Sequence, residues 1–130
     1  MRIFITASFI DSKENKENVD NLCSVVRSAG FDDFCFVRDV ENYQKIFNDP
    51  KELMQRAKEE IQKSDALLID ITDNPTGGRS IEAGIAYALS KRIIVIAKKG
   101  MEIKDTFGGI ANRIIEYDEI GDILNELKLI

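Results

Sequence analysis

The stretch "DNPTGGRSIEAG", residues 73–84, places two adjacent glycines between a turn and a carboxylate. Thr72 and Thr76 precede the glycines in the sequence and Ser80 follows them, so hydroxyl groups lie on both sides. Backbone N–H groups that such a loop exposes in front of a helix can hold a phosphate or a ribose oxygen. The spacing is neither GxxxxGK[ST] nor GxGxxG. Spacing alone favours an ordinary turn before a helix, so the loop predicts an anion site only together with other signals.

Glu82 is that further signal, because a helix is predicted over residues 80–90 and Glu82 then falls in its first turn. The helix dipole stabilises a negative charge there by about 0.3–1 kcal/mol, so we expect Glu82 to be ionised and hydrogen-bonded. An ionised carboxylate can act as a nucleophile in covalent catalysis. It can equally be a favourable first-turn acid with no chemical role.

Histidine is absent from the 130 residues, which excludes Ser-His-Asp and Cys-His catalysis and the commonest zinc ligand. Cys23 and Cys35 lie in apolar patterns and are expected to be buried, inert thiols. The sequence therefore predicts no metal site and suggests no cofactor.

The charge and hydropathy patterns restrict the partners. A net charge of −5 argues against a nucleic-acid partner, although a loop can bind a small phosphorylated ligand against the overall charge. No run approaches the roughly 18 apolar residues of a membrane span, and the start "MRIFITASF" does not resemble a leader segment. We expect a cytoplasmic protein with a small-molecule partner.

Short apolar runs predict five strands, separated by amphipathic patterns that predict helices. The strands are expected at residues 2–7, 34–37, 65–72, 92–97 and 113–117. Helices are expected from Glu14 to a left-handed cap at Gly30, after the N-cap Asp49 and Pro50, over 80–90 and over 118–128. The polar connection "RDVENYQKIFND", residues 38–49, is long enough for a lid or binding loop, or for an irregular helical turn.

This alternation predicts one α/β domain over residues 1–130, with a five-stranded parallel sheet, flavodoxin-like or Rossmann-like, and helices on both faces. Right-handed crossovers favour the order 2-1-3-4-5. Ligands of such sheets bind at the carboxyl ends of the strands, near the switch point between strands 1 and 3. "TASF" after strand 1 and "TDNPTGGRS" after strand 3 should therefore lie side by side there.

The segment "SDALLIDITDNPTGGRSIEAGIAYALSKRIIVI" resembles the nucleoside 2-deoxyribosyltransferase family, which includes the deoxynucleoside 5′-monophosphate N-glycosidases. Its most specific element is Pro75-Thr76-x-Gly78-x-x-x-Glu82. The similarity extends from "IFITAS" to "NRIIEYDEIGDIL" and covers most of the chain, with the middle least matched.

The resemblance implies an N-glycosyl hydrolase or transferase in which Glu82 attacks the anomeric carbon of a ribosyl or deoxyribosyl group. A covalent glycosyl-enzyme would form, and water or a second base would resolve it. Its substrate would be a nucleoside or nucleotide, and its assembly a homodimer or higher oligomer. The candidate substrate-binding residues are Ser8, Asp73, Thr76, Gly78, Ser80 and Asn112. Of these, Asn112 would act across a dimer interface, and Asp73 can alternatively be a turn-forming residue.

Two positions depart from the family pattern. Phe4 stands where the family often has a tyrosine that orients the nucleophile, and Ala57 stands where it usually has an aspartate that protonates or positions the base. Glu60, one turn further on, is a possible substitute for that aspartate or a surface charge.

These departures keep two other hypotheses open. "RIFITASFID", "FVRD" and "AKEEIQKSDALLIDIT" also resemble the Toll/interleukin-receptor-like group, in which a glutamate on the corresponding helix cleaves NAD at its ribosyl bond. The Pro-Thr-Gly-Gly loop fits the deoxyribosyltransferases better. The third hypothesis is a nucleotide-binding module that senses its ligand without cleaving it.

Overall fold

Parallel strands form a single five-stranded sheet in the computed structural model, which describes residues 1–8 and 13–130. The strands are β1 (Arg2–Ile5), β2 (Asp32–Cys35), β3 (Ala66–Asp70), β4 (Arg92–Lys98) and β5 (Arg113–Tyr117). They lie in the order β2-β1-β3-β4-β5, and each neighbouring pair is parallel. The predicted sheet and its strand order are confirmed.

Helices connect the strands. They are α1 (Lys13–Ser28), α2 (Phe36–Asp39), α3 (Pro50–Gln62), α4 (Gly78–Ala88), α5 (Asp105–Ile110) and α6 (Ile123–Leu127), which follows a 3-10 turn at Ile120–Asp122. Within the described ranges, none of these helices is both long enough and apolar enough to cross a membrane.

Two hydrophobic cores cover the two faces of the sheet, because successive side chains of a strand point to opposite sides. Ile3 and Ile5 of β1 belong to the core that includes the buried residues of α1 and α6. Phe4, between them, belongs to the core that includes the buried apolar residues of α3 and α4. Cys23 and Cys35 are buried free thiols in the first core, as predicted.

Local signals set several element boundaries correctly. Asp49 caps α3 by accepting a hydrogen bond from the Lys51 backbone N–H at 2.9 Å, and Pro50 takes the first helical position. Gly30 follows α1 with a φ of 95°, the left-handed conformation that glycine tolerates best.

The strand predicted at residues 34–37 is wrong in its second half. β2 ends at Cys35, and the chain then turns into α2. The Asp39 carboxylate accepts the Cys35 backbone N–H at 3.0 Å, and the Phe36 carbonyl accepts the Val40 N–H at 3.0 Å. Phe36 and Val37 are buried all the same, so the apolar run that suggested a strand reflects burial.

Glu60 lies in a buried ion-pair network near the amino end of the sheet. Its carboxylate pairs with Arg2 at 2.6 Å and with Arg56 and Lys63 at 3.3 Å each. Burial alone would raise the pKa of Glu60, but the hydrogen bonds from these three cations outweigh burial and lower it. Glu60 is therefore neither a surface charge nor one of the residues that line the candidate site.

A hydrogen-bond network joins the carboxyl ends of the last three strands. The Tyr117 hydroxyl donates to one oxygen of Asp70, and the Thr72 hydroxyl donates to the other at 2.6 Å. The Lys98 backbone N–H donates to the Thr72 hydroxyl at 3.0 Å. Burial, and then the bond to Asp70, raise the pKa of Tyr117 to about 12, so its phenol stays protonated.

Candidate functional site

A cavity of about 340 Å³ lies at the carboxyl ends of β1 and β3. Its volume falls in the range of sites that hold small organic molecules. It is lined by Ala7, Ser8, Phe36, Val37, Glu41, Leu53, Met54, Ala57, Thr76, Gly78, Arg79 and Glu82.

The strand order explains why these residues meet. Ser8 follows β1, and Thr76 and Gly78 follow β3, the neighbour of β1 in the sheet. The two segments predicted to lie side by side thus share one cavity. Residues after β2 and from α3 complete the wall.

The loop before α4 presents backbone N–H groups without a side-chain cap. Gly77 precedes the helix with φ 59° and ψ −129° and, because it has no side chain, makes no side-chain capping hydrogen bond. The first N–H groups of any helix lack partners within the helix. The Ser80 hydroxyl donates to the Pro75 carbonyl at 3.0 Å, which closes the loop and keeps Ser80 out of the cavity wall. This helix start can accept an anionic or polar ligand group.

Arg79 is the positively charged side chain in the described part of the cavity wall, and it forms an ion pair with Asp73. The guanidinium donates to both Asp73 carboxylate oxygens, at 3.0 and 2.8 Å, and to the Asp70 carbonyl at 3.4 Å. Hydrogen bonds from Arg79 lower the pKa of Asp73. Asp73 is outside the cavity lining, so the structure connects this predicted site residue to the cavity through Arg79.

Glu82 faces the cavity, but the prediction that it lies in the first turn of its helix is wrong. α4 begins at Gly78, two residues earlier than predicted, so Glu82 lies in the second turn. The dipole effect is concentrated in the first turn and is correspondingly weaker here. No hydrogen bond or ion pair to the Glu82 side chain is formed among the residues that the structure describes.

The expectation that Glu82 is held ionised is also wrong. Burial raises the pKa of Glu82 from 4.5 to about 8, and the nearby negative charge of Glu41 adds to this effect. The positive charge of Arg79 opposes it. At neutral pH the carboxyl group therefore carries a proton for most of the time, and it must lose that proton before it can act as a nucleophile.

This raised pKa predicts a pH-dependent stability difference for Glu82→Gln. A carboxyl whose folded-state pKa is raised stabilises the fold fully below pH 4.5, and this contribution is lost as the pH rises through about 8. Glutamine does not titrate. After allowance for screening by cavity water, the variant should be about 2 kcal/mol more stable at pH 8.5, which is about 4–8 °C in Tm.

Thermal unfolding at pH 5 and pH 8.5 tests this prediction, with Glu52→Gln on the exposed side of α3 as a control for the charge change. The gain for Glu82→Gln should nearly vanish at pH 5. An equal gain at both pH values would contradict the assigned ionisation.

Glu41 is a second carboxyl in the cavity wall, and the sequence did not single it out. It lies in the polar connection of residues 38–49, whose length was the available signal for a binding loop. Sequence reasoning also missed Arg79 and the apolar wall residues Phe36, Leu53 and Met54. In the part of its wall that the structure describes, the cavity thus combines apolar side chains, two carboxyls and a helix start.

At three other positions, the structure places no polar side chain in the cavity wall. Ala57 lines it with a methyl group, and Phe4 is fully buried without a hydroxyl. Asn112 lies near the amino end of β4, where its side-chain oxygen accepts the Ile93 backbone N–H at 2.7 Å. The structure does not bring Asn112 to the cavity of its own chain, so a role across a dimer interface stays a prediction.

The outer face of α4 is more exposed than its composition suggested. Ala83 and Ala86 are buried, but Ile81 and Tyr87 expose 53% and 57% of their surface. The helix carries apolar residues on most sides, but it covers the sheet with only one face. The expected homo-oligomer stays a prediction.

By sequence, the chain matches no protein-family model and no curated protein. Its fold, however, is that of a class of α/β proteins with known structures. One of them is the CMP N-glycosidase BcmB of Clostridium botulinum, with a TM-score of 0.69, 18% identity and 98% of each chain covered.

Two further structures have closely similar folds. The 2-deoxyribosyltransferase of Bacillus psychrosaccharolyticus has a TM-score of 0.76 at 20% identity, with 96% of this chain and 91% of that chain covered. A conserved protein of Enterococcus faecalis V583 has a TM-score of 0.77 at 16% identity, covering 99% and 98%. The fold implied by the family resemblance is confirmed over nearly the whole chain.

Proposed function

We propose that this protein cleaves the bond between C1′ of a ribosyl or deoxyribosyl group and the nitrogen of a base, with Glu82 as the nucleophile. The observation that carries this proposal is the placement of Glu82. Its carboxyl faces a cavity of about 340 Å³ and has no hydrogen-bond or ion-pair partner among the described residues. The folds shared with an N-glycosidase and a deoxyribosyltransferase support the same reaction class.

The cavity wall suggests how a nucleoside or nucleotide binds. Its base would pack on the apolar side chains of Phe36, Leu53 and Met54. Its 5′ end would face Thr76 and the uncapped start of α4, where backbone N–H groups can hold an oxygen or a phosphate. The sugar then lies between these regions, with C1′ near Glu82.

The reaction follows from the carboxylate. As the base departs, positive charge develops at C1′ and the ring oxygen, and an adjacent Glu82 carboxylate stabilises it and bonds to C1′. Water attacking the resulting ester gives hydrolysis, whereas a second base gives transfer. The developing positive charge also favours loss of the Glu82 proton, because an opposite charge nearby lowers the pKa of a carboxyl.

A substrate panel tests this function. Purified protein is incubated with nucleosides, nucleoside monophosphates and NAD, with and without an added second base, and released bases are separated by chromatography. Base release at a rate well above the uncatalysed one is expected for at least one compound, and the compound identifies the substrate class. Stabilisation by several of these ligands without any cleavage would instead favour a sensor, because binding raises Tm without chemistry.

A substitution at Gly78 tests whether the ligand lies close to the backbone at the start of α4. A Cβ added at Gly78 would meet no atom of the described residues within 4 Å, apart from its chain neighbours and its own helix backbone, because the position faces open space in the cavity wall. Gly78→Ala should leave Tm unchanged or raise it slightly, since alanine is the better helix former. It should lower kcat/KM about 10-fold by displacing the ligand, a cost of about 1.4 kcal/mol.

Gly77→Ala is the matched comparison for Gly78→Ala. Gly77 has φ 59° with ψ −129°, a conformation that alanine adopts only with strain. This variant should lose stability by about 1–3 kcal/mol, measured by denaturant unfolding. If Gly78→Ala left kcat/KM unchanged, close ligand approach at that glycine would be refuted.

A further inference from the structure

Glu41 shares the cavity with Glu82, and none of the residues that the structure describes neutralises its charge. Both side chains line the same wall, and Glu41 is close enough for its charge to raise the pKa of Glu82. No hydrogen bond or ion pair to the Glu41 side chain is formed by the residues that the structure describes. A partly buried carboxyl of this kind is available for proton transfer to a ligand.

The backbone after Glu41 adopts an unusual conformation. Asn42 and Tyr43 are consecutive non-glycine residues with positive φ, at 49° and 57°. Such conformations cost about 1–3 kcal/mol each and persist only where surrounding contacts maintain them. The Tyr43 N–H donates to the Val37 carbonyl at 2.8 Å, and its hydroxyl donates to Asp20 of α1 at 2.8 Å. These bonds fix the turn that directs Glu41 to the cavity.

The proposed reaction needs a proton donor as well as a nucleophile. A base that leaves with the electron pair of the C1′–N bond becomes an anion unless a proton reaches it. Among the described residues of the cavity wall, the carboxyls are Glu41 and Glu82, and the attack on C1′ uses Glu82. Burial raises the pKa of Glu41, which makes it a more competent proton carrier near neutral pH.

We propose that Glu41 is the general acid that protonates the departing base and then the general base that activates water. This inference rests on the proposed function of the same cavity. Transfer of one proton from Glu82 to Glu41 generates both reactive forms together, a carboxylate at Glu82 and an acid at Glu41.

The atoms balance over two steps. A Glu82 oxygen bonds to C1′ as the C1′–N bond breaks, and its electron pair goes to the base, which receives the Glu41 proton. The Glu41 carboxylate then removes a proton from water as the water oxygen bonds to C1′ and the ester bond breaks. The sum is substrate plus water giving base plus sugar, with both carboxyls returned to their starting forms.

Substrates that differ in their need for a proton test this assignment. Glu41→Gln should lower kcat/KM for a purine or pyrimidine nucleoside 10²–10⁴-fold, the usual contribution of a general acid. It should change kcat/KM for an N-ribosylpyridinium such as nicotinamide riboside less than threefold, because a pyridine leaves as a neutral base. Glu52→Gln, the same charge change at an exposed position, should affect neither substrate.

Equal losses on both substrates would overturn the assignment in favour of a structural role for Glu41, and no loss on either would overturn it outright. If Glu82→Ala leaves all cleavage intact, the proposed function itself fails. Those two results are distinguishable because they come from different variants.

The pH profile gives a second measurement that needs only one substrate. If Glu41 donates the proton, only the singly protonated pair is productive, so kcat/KM for a nucleoside should be bell-shaped and fall above about pH 8. Glu41→Gln should remove the falling limb. It should also move the rising limb to higher pH, because that limb then reports the ionisation of Glu82, whose pKa burial raises, instead of the first proton lost by the pair. A wild-type activity that rises through pH 8 and stays high would overturn the assignment.

Discussion

Base release should fall at least about 10³-fold when Glu82 is replaced by alanine, because the variant lacks both the nucleophile and the charge that stabilises the transition state. The measurement is kcat/KM for the best substrate of the panel. The same variant should bind substrate with nearly unchanged affinity, since the carboxyl is mostly protonated at neutral pH and contributes little charge to binding.

Trapping the intermediate separates a nucleophile from a merely stabilising charge. Rapid acid quenching of the wild-type protein with substrate should give a covalent adduct with the mass of the glycosyl group on the peptide that contains Glu82. Glu82→Ala should give none, and Glu52→Ala should behave as the wild type. Undiminished base release by Glu82→Ala would remove the central residue of the proposed function.

Replacing Arg2 with methionine should destabilise the protein by about 3 kcal/mol, the second large effect that we expect. Glu60 is 4% exposed, and Arg2 provides its shortest ion pair, at 2.6 Å. Removing Arg2 leaves the buried Glu60 charge with only its two longer ion pairs, to Arg56 and Lys63 at 3.3 Å each. Arg2 also stacks 4.1 Å above the centre of the Phe34 ring, so part of the loss reflects this packing. Urea unfolding at pH 7 measures the change.

The double variant Arg2→Met with Glu60→Met provides the control. It should recover most of the lost stability, because removing both charges leaves none uncompensated. The lowered pKa of Glu60 gives a further check. Its contribution is present above pH 4.5 and is lost as the pH falls through the folded-state value, so the destabilisation by Arg2→Met should shrink in acid. A constant loss at all pH values would indicate packing alone.

The fold was largely predictable because positions that are buried in the sheet are occupied by apolar residues in the sequence. Strands covered on both faces, such as β3 and β4, are continuously apolar, and chain connectivity then restricts their order. The same reasoning placed Ser8 and Thr76 at one edge of the sheet. It failed at Phe36, where an apolar residue is buried in a helical turn rather than in a strand.

The electrostatics of the site were not predictable in the same way. The pKa of Glu82 depends on burial in a cavity whose described wall comes from four separate segments, and on the charge of the Glu41 carboxyl. From the local sequence, only the effect of the helix dipole could be predicted, and that effect would lower the pKa of Glu82. Glu41 itself follows no periodic pattern, and its orientation depends on a turn tied to α1 through Tyr43. Such properties arise from contacts between residues far apart in the chain.

The hydrogen bonds among Asp70, Thr72, Tyr117 and the Lys98 backbone restrain the start of the loop that leads to α4. Fixing the backbone of one residue costs about 1–2 kcal/mol of conformational entropy. The first residues of this loop are already ordered in the folded protein. A ligand that binds therefore has fewer residues of the cavity wall to order. More of its contact energy is then available as affinity, the advantage of a preorganised site.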